Sequence, residues 1–563
     1  MFFSLKKIIV VAGLVLQSVH VIAADGKNII LLVPDGCGIS HQTIARWFKG
    51  APLASDQLNP GLCITKSGNS MITGSAAAAT AFATGHKTWE QEGGIRCVGM
   101  LPDSLVFPHP QKLPASMQWR PVASVLEAAR IMGKSTGLVA TARISHATPA
   151  AFSSHWHERE NENVIIEQQV YQNIDVVFGG GMSHLLPDSI AQGKRPDGEN
   201  LQEVLASRGY KVISTRSQLK DLSAETKKVW GLFNKSHLCP DINRPYFGKE
   251  EPSLAEMTQT AISILSRNSK GFFLLVEGSQ IDFASHNNDP VGVLSEYLAF
   301  DSAVQVALDF ARKDKNTIVM VFPDHDNGGI SLGLRGDTYT DMPTSKVLPS
   351  LKKAKITAAG LLDTLIRAHK IVSVNFTFAA SALKTFMGID TLTSQDSADV
   401  NALLVSVRNG AKSDPDVANV GRIISRRSSI GWTTHGHCGT NVWIYGLGVN
   451  FSSIIDNTDI AKICFKNLNV SLDSINRILF QDVKELFGEF KDITIIIDSS
   501  NSKDAKGSVT VSTPDKSAVF PFFKNEMWLK NGKVVQMEGI TVYSEKSGKV
   551  FLPQQALKLF NKI

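Results

Sequence analysis

The sequence predicts an α/β fold: a mostly parallel central sheet with helices on both faces, plus an inserted helical region and a small C-terminal β domain. Three observations carry this. Short apolar runs alternate with helix-period segments, as in a parallel sheet covered on both sides. Polar helical segments interrupt the rhythm between residues 337 and 429, and beyond about Ile493 the pattern changes to short alternating strands.

The chain opens with Lys6 and Lys7, an apolar run from Ile8 to Ile22, and the small pair Ala23 and Ala24 before Asp25. This is signal-peptide architecture, so residues 1–24 are expected to be removed and the product exported, to a periplasm or the outside. The run is shorter than the roughly 20 residues that span a bilayer. No later segment is apolar enough to do so, and no transmembrane segment is expected after signal removal.

The main domain is expected over residues 25–490, with strands at Asn28 to Val33, Thr136 to Ala140, Asp175 to Phe178, Phe272 to Val276, Thr317 to Phe322 and Asn441 to Tyr445. Between them, Ser253 with Glu256 forms a capping box ahead of Leu254, Met257, Ala261, Ile264 and Leu265, which share a helix face. The Pro-rich passage from Pro102 to Pro121 reads as a surface loop. In the accessory β domain, residues 491–563, Asn531-Gly532 marks a hairpin between Met527 to Leu529 and Val534 to Met537.

A formal charge of +6 over 563 residues is diffuse, and no basic run interleaves with aromatics, so nucleic acid is not expected as a dedicated partner. Six cysteines form no Cys-x-x-Cys pair. Cys63 with Cys97 is one candidate bridge, with isolated buried thiols an equal alternative; Cys37 and Cys438 both lie beside candidate ligands and are expected near one another as free thiols.

Ligands bind at the carboxyl ends of parallel strands. Asp35 follows the first run; Glu277, Asp282 and His286 follow the fourth; Asp324 and His325 follow the fifth; His437 precedes the last. Each alone is an ordinary cap or surface residue. Together, oxygen and imidazole groups without nearby thiolates suit zinc beside a harder magnesium site. Ser75 opens an Ala-rich helix that stops at Gly85, which puts its hydroxyl at a helix N-terminus, where phosphate is favoured.

These residues resemble the alkaline phosphatase family along most of Asn28 to Gly446. The likeness rests on Pro34-Asp35-Gly36, Ser75 through Gly85-His86-Lys87-Thr88, His146-Ala147-Thr148-Pro149-Ala150, the Glu277 to His286 segment, Asp324-His325 and His437-Cys438-Gly439. The resemblance implies a phosphate-ester substrate, two Zn2+ and one Mg2+ per chain, and leaves a homodimer open. It implies Asp282, His286 and His437 on one zinc; Asp35, Asp324 and His325 on the other, with Ser75 approaching it; and Asp35, Thr148 and Glu277 on magnesium. Arg159 would grip two phosphate oxygens, and His146 would support the magnesium site from outside its ligand shell.

The implied reaction is attack by Ser75 on phosphorus, a phosphoserine, and its hydrolysis from the opposite side. Two departures stand out: Gly74 where the family commonly has Asp, and Phe283 where it often has His, Lys or Trp. A phosphodiesterase on the same scaffold, or a non-enzymatic metal-stabilised binding protein, are the alternatives. His155, His157 and His435 read as supporting residues rather than ligands.

Overall fold

The computed structural model describes residues 22–23, 28–91, 95–106, 109–340, 342–451 and 453–563. The predicted signal peptide therefore lies almost wholly outside the described residues. The six expected apolar runs form the strands Asn28–Pro34, Ser135–Arg143, Val176–Gly180, Phe272–Gly278, Thr317–Val321 and Val442–Leu447. Four further strands complete a ten-stranded sheet: Asn59–Ile64, Lys211–Ile213, Val229–Leu232 and Ile455–Asp456. They lack a long apolar run because they lie toward the sheet's two edges. Seven neighbouring strands run parallel, Val442–Leu447 turns antiparallel to Thr317–Val321, and Asn59–Ile64 turns back again.

Both sheet faces are buried, which explains the unbroken apolar runs. Ile29, Leu31 and Val33 pack into one core with the Ser75–Thr84 and Ala147–Ser153 side of the molecule. Ile30 and Leu32 pack into the other, shared with the helices Leu254–Leu265 and Pro290–Asp314. The period-two alternation of a strand is thus present, but both positions are apolar. Ser253 accepts from the Glu256 N–H and Glu256 reaches back to the Ser253 N–H, the expected capping box. Pro290–Asp314 is long and apolar enough to cross a membrane, yet two thirds of its most apolar stretch is buried inside the protein, as befits a core helix.

Between the fifth and last of the predicted strands lie the helices Thr344–Lys353, Ala358–His369, Phe376–Met387, Ser394–Asn409 and Asp414–Arg427. A short ladder pairing Ser331 with Gly431 and Leu332 with Ile430 closes the base of this insertion. The C-terminal strands Thr494–Asp498, Ser508–Ser512, Ser517–Pro521, Glu526–Leu529 and Val534–Gln536 form an antiparallel meander in chain order. It sits against the main body: Phe523 meets Trp156 edge-on at 5.5 Å, and Lys524 pairs with Glu199 at 2.7 Å and Glu167 at 3.2 Å. All six cysteines are free thiols, so the candidate Cys63–Cys97 bridge does not form, while Cys37 and Cys438 are free as expected.

Candidate active site and metal centre

Adjacent strand ends deliver the candidate residues to one place. The Asn28–Pro34 strand lies between Phe272–Gly278 and Thr317–Val321, so Asp35, Glu277, Asp324 and His325 arrive at neighbouring positions along the carboxyl edge. Asp282 and His286 lie four residues apart on the helix Gln280–His286 and so share a face. His437 is far away in sequence. A two-residue ladder, Asp326 with Cys438 and Asn327 with His437, ties it to the loop after His325.

Three groups of ligand atoms result: Asp282 with His286 and His437; Asp35 with Asp282 and His325; Asp35 with His146 and Glu277. Within each the atoms lie within 4.8 Å of one another. Asp324 joins the second group, its Oδ2 3.1 Å from His325 Nε2, while Asp35 Oδ1 is 3.6 Å from that nitrogen. Asp282 Oδ2 lies 3.3 Å from His286 Nε2. In a fourth group, Glu167, Asp197 and Glu199 are each already paired with Arg195 or Lys524 and form part of the seam to the C-terminal sheet.

Hydrogen bonds outside the cluster set the ring orientations. His437 Nδ1–H donates to the Thr73 carbonyl at 2.9 Å, and His286 Nδ1–H donates to the His435 carbonyl. Both rings therefore turn Nε2 lone pairs inward, and those nitrogens face each other at 3.2 Å. Two lone pairs at that separation repel unless a positive charge stands beside them. Asn327 Nδ2 donates to Asp282 Oδ1 at 2.7 Å and fixes that carboxylate. Gly36 has φ +64°, and a Cβ there would lie 2.3 Å from Asp282 Oδ1, so only glycine lets the two segments meet.

Both oxygens of Asp35, both of Glu277, Asp324 Oδ2 and Thr148 Oγ1 are buried without a hydrogen-bond partner. Uncompensated carboxylates in such a place cost several kcal/mol each. The pKa values respond accordingly. Burial first, then the charges of Asp324, Asp282 and Glu277, pushes Asp35 well above the carboxylate range. Burial raises Glu277 to about 7. At Asp282 burial also acts upward, but His286, His437 and His325 overcome it and hold the group well below its usual range. Cations relieve all of these tensions at once. The donor set fits them: mixed oxygen and imidazole groups suit zinc, and the oxygen-rich corner of Asp35, Glu277 and Thr148 suits magnesium.

Ser75 is the first residue of the helix Ser75–Thr84, with extended Gly74 as its N-cap. Its side chain is buried and its Oγ lies 3.2 Å from His325 Nε2. Arg159 lines an open groove of about 500 Å³ together with Thr73, Gly74 and His437. Its Nη2 donates to His146 Nε2 at 2.8 Å, so His146 orients the guanidinium as well as neighbouring Asp35 and Glu277. Phe283 stands edge-on to His146 at 5.6 Å and to His237 at 4.7 Å.

The remaining histidines take supporting places. His155 donates from Nδ1 to the Gly99 carbonyl and lies 3.0 Å from Glu127; His157 lies 3.1 Å from Glu545; His435 Nδ1–H returns a bond to the His286 carbonyl. Motif reading did not single out Thr73, Glu90, Asn327 or His237. Asn327, two residues past His325, had a local signal in its position after a strand end. Glu90 and His237 had none, because loops bring them in.

A hydroxyl at a helix N-terminus, facing buried carboxylates and inward-turned imidazoles at the edge of an α/β sheet, belongs to the class of phosphoryl-transferring hydrolases. The alkaline phosphatase family model matches residues 26–470. The chain is 36% identical over 468 residues to alkaline phosphatase 3 of Bacillus subtilis, covering 79% of this chain and 90% of that one. The solved alkaline phosphatase of Thermus thermophilus aligns with a TM-score of 0.68 and 26% identity, covering 79% of this chain and 92% of the other. A variant of TAB5 alkaline phosphatase, solved with magnesium bound, aligns at 0.54 and 25% identity over 80% of this chain and 99% of its own. The chain belongs to the alkaline phosphatase family, and its enzymatic class is that of a phosphoric monoester hydrolase.

Proposed function

We propose that this enzyme hydrolyses phosphate monoesters through a phosphoserine at Ser75, with two zinc ions and one magnesium ion. Asp282, His286 and His437 would hold one zinc, and Asp35, Asp324 and His325 the other; Asp35, Thr148 and Glu277 would hold magnesium. Bound cations supply positive charge to the attacking and leaving oxygens and favour ionised hydroxyl groups beside them. The observation that carries this reading is Ser75 Oγ 3.2 Å from His325 Nε2, amid buried carboxylate oxygens that have no partner.

In the proposed reaction Ser75 Oγ forms a bond to phosphorus while the ester P–O bond breaks and the alcohol leaves from the opposite side. Water then displaces Ser75 from phosphorus, releasing phosphate, and two inversions give net retention. Arg159, oriented by His146, holds two phosphate oxygens in the fork its guanidinium provides. The helix N-terminus at Ser75 adds a favourable field for the negative phosphoryl group. The family membership and the leader-like first 24 residues support export, which N-terminal sequencing of the product checks directly.

The test uses protein loaded with zinc and magnesium. An aryl phosphomonoester should be cleaved far faster than the matched diester, and acid quenching should trap phosphate on Ser75. Ser75→Ala should lose roughly 10³-fold or more in kcat, as expected when a nucleophile is removed from a cooperating set. Diester preference would overturn the substrate class; undiminished Ser75→Ala activity would overturn the nucleophile.

A further inference from the structure

Beside the ligand cluster lies a cavity of about 830 Å³ that the reaction described above does not use. Phe283 and His286 form its inner wall, Phe247 a second, and Ala359, Leu362 and Val417 of the insertion a third. Its volume falls in the range of small-molecule sites, roughly 300–1,000 Å³. Phe247 is a large apolar side chain left 47% exposed here, and Phe283 is only partly covered. Two accessible aromatic rings on the lining suit a planar apolar group that can stack or meet them edge-on.

The charges in the cavity argue for an uncharged occupant. Asp363 is neutralised by Arg367 at 2.7 Å and by Lys412, and the Arg367 guanidinium lies over the Phe247 ring at 5.9 Å. Asp414, also on the wall, adds negative character beside His286. A second phosphate group would have to compete with Asp363 for Arg367 and Lys412, and would meet the like charge of Asp414. Position in the reaction adds a further argument. Ser75 Oγ lies 3.2 Å from His325 Nε2, and the cavity shares His286 with the group formed by Asp282, His286 and His437, so the cavity adjoins the cluster in which the proposed reaction takes place.

We propose that this cavity is the leaving-group subsite. It takes phosphomonoesters whose alcohol carries a bulky, uncharged aromatic ring system, of the size of a nucleoside, and the insertion builds the selective wall. The assignment rests on the Ser75 reading above and deepens it. It predicts that ester preference is set by residues that touch neither metal ligands nor phosphate.

The test compares kcat/KM for adenosine 5′-monophosphate and for glycerol 2-phosphate, using zinc- and magnesium-loaded protein. Ala359→Trp, which fills the cavity from a half-buried position, should lower the nucleotide value about tenfold, the discrimination a reshaped apolar pocket gives. It should leave the glycerol ester within about twofold. Phe247→Ala removes an exposed ring without disturbing the core and should lower the nucleotide value alone. Equal changes for both esters, or none for either, would overturn the subsite. Absence of turnover of both esters by the unaltered protein would instead overturn the Ser75 reading.

Discussion

The carboxylate of Glu90 occupies the space that a side chain on residue 74 would need: a Cβ on Gly74 would lie 2.0 Å from Glu90 Oε2. Glu90 Oε1 accepts the Ala77 N–H at 3.1 Å, so this carboxylate caps the first turn of the nucleophile helix. It also lines the groove that holds Arg159. The Asp that the family commonly has before the proposed nucleophile is absent, and a carboxylate from the short strand Glu90–Gln91, fifteen residues after Ser75, stands in the same neighbourhood.

Glu90 therefore competes with bound phosphate for the helix N-terminus. Glu90→Gln should strengthen competitive inhibition by inorganic phosphate roughly fivefold, about 1 kcal/mol, the size of a charge effect at a helix end. Unchanged inhibition constants would show that Glu90 exerts no field on the anion.

Chelation should destabilise the folded chain as well as silence it. Both oxygens of Asp35 and of Glu277, and Asp324 Oδ2, have no hydrogen-bond partner, and an ion present at a thousand times its Kd contributes about 4 kcal/mol. Thermal melts with and without chelator, paired with metal analysis, measure this. Glu277→Gln should bind one ion fewer per chain and lose less on chelation; equal losses in the two proteins would remove Glu277 from the set.

Glu296 gives a pH dependence independent of the metals. It is buried in the helix Pro290–Asp314 and accepts the Asp241 N–H at 2.5 Å; burial raises its pKa to about 8 from an ordinary 4.5. The folded state binds this proton more tightly than the unfolded chain. The resulting stability is complete below about pH 4.5 and is lost as pH rises through about 8. Glu296→Gln keeps an acceptor for Asp241 and should melt higher than the parent at pH 9 but alike at pH 4. Parallel melting curves at both pH values would refute the argument.

Lys524 should matter for holding the C-terminal sheet in place. Removing it leaves Glu167 and Glu199 with one fewer cation at a largely buried seam. Lys524→Met should cost about 3 kcal/mol, the scale for breaking a buried pair from one side. Denaturant unfolding reads this out, and a cost below about 0.5 kcal/mol would place the pair in the class of surface salt bridges.

What was legible in the sequence followed from burial. Strands such as Asn28–Pro34 and Phe272–Gly278 are covered on both faces, so their composition alone exposes them. The edge strands Lys211–Ile213 and Ile455–Asp456 are too short to leave a pattern. Candidate ligands just after apolar runs stand out in the same way, because strand ends fix where Asp35, Asp324 and His325 emerge. Residues that work through folded loops left no trace: Glu90 reaches Gly74, His237 reaches Phe283, and Thr73 offers only its carbonyl to His437. Such partners depend on tertiary approach, which residue type and spacing do not encode.

The ladder that joins Ser331–Leu332 to Ile430–Gly431 brings together the two ends of the intervening helices. Both ends of this stretch are stitched together before the chain reaches His437, and the Asn327–His437 pairing then holds that histidine in register. On the proposed reading, the residues that would shape the ester pocket are thereby kept apart in the chain from those that would hold the cations.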